Sequence, residues 1–285
     1  MRPVIILIIG VFAVSWAAIF ARLAAVIGYI AAWWRLLVGS IILLLYISLQ
    51  GKKIKIDRYS VAAGIALATH FSLWLESLNH MSIASSTGIV VSYPAILLPF
   101  EFAVLKERFM KHQVIGIVMT LIGIYILSQP WSGATPIGAL LAFLAAVAGS
   151  IYFQIGRVVG RSGRYVASYV FSVYLIALIT TTLICIIMGA NPVTIPIESI
   201  LYLILMGLIT MAIGHTAINY ALKFYPATLV TTALIFEPFG ATMLGWVVLR
   251  ETPCVIALVG ITITISGIII ALHRPGYQKY SSIWR

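Results

Sequence analysis

Apolar stretches that approach the length of a membrane span recur along the whole chain, from Val4 to Leu272. A helical span needs about 20 apolar residues, and within lipid every backbone amide needs an internal hydrogen-bond partner. A β-barrel would require short segments of alternating polarity, whereas runs such as residues 41–45, Ile-Ile-Leu-Leu-Leu, are continuously apolar. Of the 285 residues, 62% are hydrophobic and only 9% are charged. The sequence therefore predicts an all-α integral membrane protein.

Breaks at charges, glycines and prolines divide the chain into ten predicted transmembrane helices. They cover residues 4–26, 31–50, 60–79, 83–105, 112–128, 137–156, 165–188, 198–221, 226–249 and 253–273. The first segment resembles a secretory signal, but its apolar stretch is longer than a signal requires, so we predict a retained helix. Cys185 and Cys254 fall in separate apolar helices. This arrangement indicates neither a disulfide framework nor a metal site, and we predict no cofactor.

Basic residues are distributed unequally between the two predicted membrane surfaces. With the N-terminus inside, the inner surface carries Arg2, Lys52, Lys53, Lys55, Arg58, Lys106, Arg108, Lys111, Arg157, Arg161, Arg164, Lys223, Arg274, Lys279 and Arg285. Only Arg22 and Arg250 mark outer helix ends, and Arg35 lies within a span. The positive-inside rule therefore predicts that both termini lie in the cytoplasm. Short loops and no recognisable organelle address favour a plasma membrane of the prokaryotic type. Because this asymmetry explains the net charge of +11, no nucleic-acid partner is predicted.

One pattern recurs at identical spacing in the two halves of the chain. A proline is followed by a glutamate and then by two glycines, as Pro94, Glu107, Gly116 and Gly123 and again as Pro238, Glu251, Gly260 and Gly267. Halves with an odd number of helices enter the membrane in opposite orientations. We therefore predict two inverted five-helix repeats, residues 1–130 and 131–274, around a central cavity, followed by a basic cytoplasmic tail, residues 275–285. Inverted repeats are typical of secondary transporters.

Together with Ser15, Trp16, Arg22 and Arg35, this repeated pattern resembles the EamA type of the drug/metabolite transporter superfamily. The resemblance covers nearly the whole chain. It implies ten helices around a central cavity and the export or exchange of amino acids or other metabolites. Small four-helix relatives use a membrane-embedded glutamate in their first helix for proton coupling. The first predicted helix here has no glutamate, so that mechanism is not carried over.

Glu237 is the acidic residue closest to the middle of a predicted span, where a charge costs about 2.5–3.5 kcal/mol on insertion scales. It precedes Pro238, which removes an amide donor and is expected to leave the carbonyl of Leu234 without its helical partner. Tyr93 precedes Pro94 at the equivalent position of the first half. We predict that Glu237 and Tyr93 line a solute cavity between two kinked helices. The alternative is a packing kink in which a neighbouring hydroxyl satisfies Glu237.

Histidine, aromatic and amide side chains at helical spacing are further candidates for the solute site. His70 and Trp74 share one face of the third predicted helix, and His215 and Asn219 repeat that spacing on the eighth. His70 could form a proton-sensitive pair with the midplane glutamate, or serve as a hydrogen-bonded packing residue. Trp16 could stack on a flat or cationic solute.

Other charged residues lie nearer the ends of the predicted helices. Arg35 and Glu76 lie at comparable depth, so they either form a structural ion pair or contribute to solute binding. Glu107 and Glu251 each precede a predicted helix by a few residues. We expect each of these two glutamates to stabilise the N-terminus of the helix that follows it in the chain.

These features predict a secondary active transporter, an exporter or exchanger, that moves a small organic metabolite such as an amino acid by alternating access. Its partners are the solute and the lipid bilayer, and the chain acts as a monomer or homodimer. The alternatives are a membrane-embedded enzyme and a channel. The sequence contains no phosphate-binding Gly-Lys-Ser/Thr loop and no His-Glu-x-x-His motif, and Asp57 is its only aspartate. No repeated selectivity-filter element is visible either, so we predict a carrier and not an enzyme.

Overall fold

The computed structural model describes residues 3–105, 111–129 and 133–272, and side chains in these ranges apart from those of residues 100–105. Within them the chain forms fourteen α-helices, one π-helix and no β-strand. The helices are α1 (Pro3–Val14), α2 (Ala17–Ala24), α3 (Gly28–Leu49), α4 (Arg58–Ser77), α5 (Ile83–Val90), α6 (Tyr93–Leu105), α7 (Lys111–Leu127), α8 (Pro136–Arg161), α9 (Val166–Ile187), α10 (Ile197–Leu205), α11 (Thr216–Leu222), α12 (Ala227–Ala233), α13 (Phe236–Leu249) and α14 (Val255–Leu272), with the π-helix Met206–His215 between α10 and α11. The predicted tail, residues 275–285, and Glu107 lie outside the described residues.

Many of these helices have the length and polarity of membrane spans. Six stretches qualify fully, namely Pro3–Ala24, Gly28–Leu49, Pro136–Arg161, Val166–Ile187, Ile197–Leu222 and Ala227–Leu249. Shorter apolar helices cover Ile83–Pro99, Lys111–Leu127 and Val255–Ala271. The prediction of an all-α, multi-pass membrane protein is therefore confirmed.

The bundle exposes many large apolar side chains and buries several polar ones within its core. Leu49, Ile187 and Val255 are 87%, 81% and 74% exposed, whereas Arg35 and Glu237 are 0% and 6% exposed. A surface of this kind would be unfavourable in water, because the free energy falls when apolar side chains are transferred out of water. In lipid the same surface is solvated by acyl chains, so the polar interior is the feature that requires a functional explanation.

The two predicted prolines lie beside helix breaks. Pro94 falls in the first turn of α6 and Pro238 in the first turn of α13, where a missing amide interrupts no helical hydrogen bond. The predicted kinks are confirmed as breaks between α5 and α6 and between α12 and α13. The carbonyl oxygen of Leu234 lacks its i+4 partner as expected, but it is not left unbonded, because it accepts a hydrogen bond from Glu237 N at 2.9 Å. This tighter i+3 bond replaces the i+4 bond that Pro238 cannot make.

Two other interruptions were not predicted. Residues 15 and 16 separate α1 from α2, so the first span is not continuous. The span Ile197–Leu222 contains the ten-residue π-helix, whose wider turns reposition backbone carbonyls. The carbonyl oxygen of Met211 in this segment accepts hydrogen bonds from Tyr174 Oη at 3.2 Å and Thr216 Oγ1 at 3.3 Å.

The glycines of the repeated pattern lie where α7 crosses α14. A Cβ added to Gly116 would lie 2.5 Å from the carbonyl oxygen of Gly267, and one added to Gly123 would lie 2.9 Å from that of Gly260. Residue numbers rise along one helix as they fall along the other, so the helices cross antiparallel. Small residues let backbones approach this closely, which is a common way to pack helices in a membrane.

One end of the bundle, which we call the Arg164 end, carries a capped helix start. Asp57 Oδ1 accepts a hydrogen bond from Ser60 N at 3.0 Å, and Ser60 Oγ accepts one from Asp57 N at 2.8 Å. Arg164 Nη1 donates to Asp57 Oδ2 at 2.8 Å. Partial burial raises the pKa of Asp57, but the bonds from Ser60 and the charge of Arg164 outweigh it, so the net pKa lies below its usual value.

We expect Asp57→Ala to lower the free energy of unfolding by about 1–2 kcal/mol, since it removes both the cap and the ion pair. Asp57→Asn should cost less, because asparagine also caps helices well and loses only the charge. Because the folded-state pKa is lowered, the ionic contribution is present above the unfolded-state pKa of about 3.9 and disappears as pH falls through the lower folded-state pKa. Thermal unfolding of the purified protein in detergent measures these effects. Equal losses for both variants would contradict the assigned cap.

Candidate functional site

Seven aromatic or imidazole side chains pack together in the bundle interior. This aromatic cluster joins α4, α6, α8 and the π-helix, and comprises His70, Phe71, Trp74, Tyr93, Tyr152, Phe153 and His215. The His70 ring stacks on Trp74 with centroids 6.1 Å apart and meets the edge of Tyr93 at 5.9 Å. The Phe71 and His215 rings meet edge to face at 5.0 Å. The structure thus brings His70, Trp74, Tyr93 and His215, all predicted site residues, into one place.

Arg35 lies against this cluster from α3 and is completely buried. Its guanidinium carbon lies 4.0 Å from the centroid of the Phe71 ring. None of its three side-chain nitrogens has a hydrogen-bond partner among the described residues. The alternative of an ion pair with Glu76 is wrong, because Glu76 Oε2 accepts from Gly28 N at 2.8 Å and Oε1 lies 3.2 Å from His80 Nε2. A buried ion without a close partner costs several kcal/mol, so Arg35 lowers the stability of the folded protein.

Glu237 lies in the first turn of α13 and is buried. The helix break places its carboxylate at a helix N-terminus, whose partial positive charge stabilises an anion. Within the described residues no hydroxyl donates to this carboxylate, so the packing alternative proposed from the sequence is not observed. Among the described residues, Glu237 and Arg35 form no direct ion pair with each other.

Two glycines allow neighbouring helices to approach the site. A Cβ at Gly149 of α8 would lie 2.6 Å from Tyr93 Cε1, and one at Gly240 of α13 would lie 2.6 Å from Ser15 Oγ. The break between α1 and α2 therefore packs one turn beyond Glu237. Trp16 lies at this break, and its half-buried ring stacks on Phe20 with centroids 5.6 Å apart.

The remaining predicted residues form polar contacts around the cluster. His70 Nδ1 donates to the carbonyl oxygen of Ala145 at 2.9 Å. The Asn219 amide donates to the hydroxyl of Tyr152 and, at 2.8 Å, to the carbonyl oxygen of His215. Among the described residues, His215 Nδ1 and Asn219 Oδ1 have no partner. Pairing of His70 with the midplane glutamate stays a prediction.

The opposite end of the bundle, the Arg22 end, carries a charged network. Arg22 Nη2 donates to the carbonyl oxygen of Met81 at 2.7 Å and lies 3.9 Å from Glu251 Oε2. Glu251 Oε1 accepts from Ile83 N at 2.8 Å. Glu251 therefore caps α5, and the expectation that it serves the following helix, α14, is wrong. The network ties residues of the first half of the chain to a residue of the second half.

At the Arg164 end a cavity of about 540 Å³ enters between α3, α9 and α11. Its lining includes Tyr46, Arg164, Tyr220 and Lys223 near the mouth, and it reaches Thr216. No residue of the aromatic cluster lines this cavity, and neither Arg35 nor Glu237 does.

The sequence did not identify several members of the site. Phe71, Tyr152 and Phe153 were missed because apolar aromatic residues in apolar helices carry no distinguishing pattern. A usable signal existed on α8, where Tyr152 and Phe153 follow the small residues Gly149 and Ser150. Small residues beside aromatic ones indicate a crowded helix crossing.

These features define a multi-pass membrane protein whose apolar helices enclose a charged and aromatic interior. The EamA-like transporter family matches residues 1–129 and 136–272, and the chain belongs to that family. It is 27% identical over 251 residues to an uncharacterized transporter of Clostridium kluyveri, covering 82% of this chain and 80% of that protein. It is 26% identical over 274 residues to the uncharacterized transporter YdfC of Bacillus subtilis, covering 92% and 87%. A solved crystal structure shares the fold, with a TM-score of 0.71 and 18% identity over 95% of this chain and 98% of that one.

Proposed function

We propose that this transporter is a secondary active carrier that moves a small organic metabolite, such as an amino acid, by alternating access. The observation that carries the proposal is the pair of opposite charges, Arg35 and Glu237, enclosed with the aromatic cluster inside a lipid-facing bundle. Buried intramembrane charges are retained mainly where they serve a solute or ion pathway. An amino acid offers a carboxylate and an ammonium group, so it complements both side chains.

The proposed architecture is ten transmembrane helices in two inverted repeats. Pairs of short helices combine into one span each, as α1 with α2, α5 with α6, and α12 with α13, while α10 and α11 join through the π-helix. Two family matches of similar length, residues 1–129 and 136–272, support the repeat. The crossing of α7 and α14 supports the inversion, since Gly116 meets Gly267 and Gly123 meets Gly260 as a twofold axis in the membrane plane requires.

The two ends of the bundle support alternating access. The Arg22 end is tied by Arg22, Met81 and Glu251, whereas a cavity enters from the Arg164 end. The positive-inside rule assigns the Arg164 end to the cytoplasm of a plasma-membrane protein. In the proposed cycle a solute would reach the site from the cytoplasm, and opening of the Arg22 network would release it outside, as export or exchange requires.

Counterflow in proteoliposomes tests this function. Vesicles loaded with a high concentration of one unlabelled solute should transiently accumulate the same labelled solute, for at least one amino acid in a panel that also contains sugars, nucleosides and polyamines. Protein-free vesicles are the control. Equilibration without transient accumulation would indicate a channel, and chemical conversion without flux would indicate an enzyme. Either result would overturn the carrier proposal.

A further inference from the structure

We infer that the Arg164 end of the bundle binds an anionic phospholipid, with its phosphate headgroup in a second cavity that the proposed function does not use. This cavity, of about 520 Å³, lies between the α3–α4 loop, the end of α8 and the start of α9. Its occupant comes from the bilayer and not from the pool of transported solutes, so the site is independent of the carrier function.

The lining of this second cavity, which we call the Lys55 cavity, is basic. It contains three cationic side chains, Lys53, Lys55 and Arg164, and one acidic side chain, Asp57, which leaves a net charge of +2. Asp57 is already paired with Arg164 at 2.8 Å, so no acidic side chain of the lining remains for the two lysines. Lysines at a membrane surface attract anionic lipids, and here they border a concave site.

A buried hydroxyl group of the Lys55 cavity has no partner. Ser168 is 3% exposed, and its Oγ makes no hydrogen bond to any residue that the structure describes. Ser162, another lining residue, differs because its Oγ donates to the carbonyl oxygen of Val159 at 2.7 Å. Burial of an unpaired hydroxyl is unfavourable, and a phosphate oxygen in the cavity would accept its hydrogen bond. Ser168 therefore indicates a bound anion, which the distribution of basic residues alone does not.

Arg164 and Ser172 hold the α3–α4 loop at the mouth of the Lys55 cavity. Both side chains donate to the carbonyl oxygen of Lys55, and the bond from Ser172 Oγ measures 3.1 Å. Arg164 also donates to the carboxylate of Asp57, two residues further along the loop. The backbone that carries Lys53 and Lys55 is therefore ordered before a ligand arrives, which reduces the entropy lost on binding.

Apolar side chains beside the Lys55 cavity favour a lipid over a soluble anion. Ile54 and Ile56 alternate with the two lysines and are 41% and 50% exposed, and Val158 in the cavity lining is 49% exposed. Exposed isoleucines between exposed lysines suit a membrane interface, where apolar side chains enter the acyl region and ammonium groups reach the headgroups. A phosphate held by the lysines would leave its acyl chains beside these apolar side chains.

The first test measures shifts in the Tm of delipidated full-length protein in detergent. Dioleoyl phosphatidylglycerol is compared with dioleoyl phosphatidylcholine, which has the same acyl chains and no net charge, and with inorganic phosphate. Phosphatidylglycerol should raise Tm in a saturable way, and the other two should not. Equal shifts with both lipids, or no shift with either, would overturn the inference. An equal shift with inorganic phosphate would also overturn it, because the occupant would then be a soluble anion.

The second test asks whether the lysines of the Lys55 cavity act locally. Lys55→Gln should weaken the binding of phosphatidylglycerol about fivefold. Lys111→Gln is the matched control, because Lys111 is exposed at the start of α7 on the same predicted membrane surface but does not line the cavity. It should change the binding little. Equal weakening by both variants would indicate diffuse attraction to a positive surface and no site.

The third test removes the unpaired hydroxyl without changing any charge. Ser168→Ala should weaken the binding of phosphatidylglycerol about tenfold, since a hydrogen bond to a charged group is lost. The Tm of the lipid-free protein should not fall. Ser40→Ala is the matched control, because Ser40 Oγ is also buried without a partner among the described residues but lies outside the Lys55 cavity. If Ser168→Ala bound the lipid as tightly as the wild type, charge alone would account for the affinity and the assigned site would be wrong.

Discussion

Gly116→Ala is expected to destabilise the protein by about 3 kcal/mol, the upper part of the range for overpacked sites. The new methyl group would lie 2.5 Å from the carbonyl oxygen of Gly267 and 2.7 Å from Ala271 Cα. Both atoms belong to the backbone of α14, so no side chain can rotate away, and the two helices must separate. Alanine is the better helix former by about 1 kcal/mol, but separation of the two helices outweighs that gain. Thermal unfolding in detergent and the yield of monodisperse protein measure the loss.

Gly245→Ala in α13 is the matched control for this experiment. A Cβ there would meet only the side-chain tips of Ile83 at 3.4 Å and Ile19 at 3.9 Å, which is ordinary van der Waals contact. We expect this variant to retain or slightly raise stability through its higher helix propensity. If both alanine variants unfolded at the wild-type temperature, the close α7–α14 crossing would be refuted, and with it the support that it lends to the inverted repeat.

Features that depend on local composition could be predicted from the sequence. Long apolar runs identified the helices, and Pro94 and Pro238 located two breaks within a few residues, because proline acts on its own turn. Spacing of four residues correctly placed His70 beside Trp74. These signals reach no further than one or two helical turns, which is the range over which a sequence pattern constrains its own backbone.

Features that depend on contacts between distant segments could not be predicted. The π-helix Met206–His215 contains no proline to mark it, and its Met211 carbonyl is bonded by Tyr174, which lies on another helix. Glu251 was assigned to the helix next to it in sequence, but it caps α5, which only the folded chain brings near. Arg35 had two interpretations of equal standing, and only its actual neighbours exclude Glu76 as a partner.

Electrostatics explains why the interior tolerates Arg35 and Glu237. Each charge alone would be prohibitive in a bundle surrounded by lipid, since neither has a close hydrogen-bonded partner. An ionised Glu237 would compensate the opposite charge of Arg35. The N-terminus of α13 favours the Glu237 carboxylate, and the Phe71 ring lies against the Arg35 guanidinium. These compensations are partial, which suits a carrier, because a site that is fully satisfied when empty has nothing to gain from a solute.

Glu237→Gln is expected to reduce counterflow at least about tenfold, because it removes one partner of a buried charged interaction. It should also weaken the dependence of transport on pH, since a carboxyl group can titrate and an amide cannot. Stability should change little, as the described residues make no hydrogen bond to this carboxylate, and loss of transport would then not reflect misfolding. Counterflow at several pH values, with Tm measured on the same preparations, tests these expectations.

Glu198→Gln is the matched control, since it makes the same chemical change at an exposed position in the first turn of α10. It should leave counterflow and its pH profile unchanged, because solvent already satisfies that side chain. If Glu237→Gln transported like the wild type at every pH, a charged role for Glu237 would be excluded, and Arg35 would be left as the only other buried Asp, Glu, Lys or Arg among the described residues. If both variants lost transport equally, the effect would be one of net charge, since only burial distinguishes the two positions.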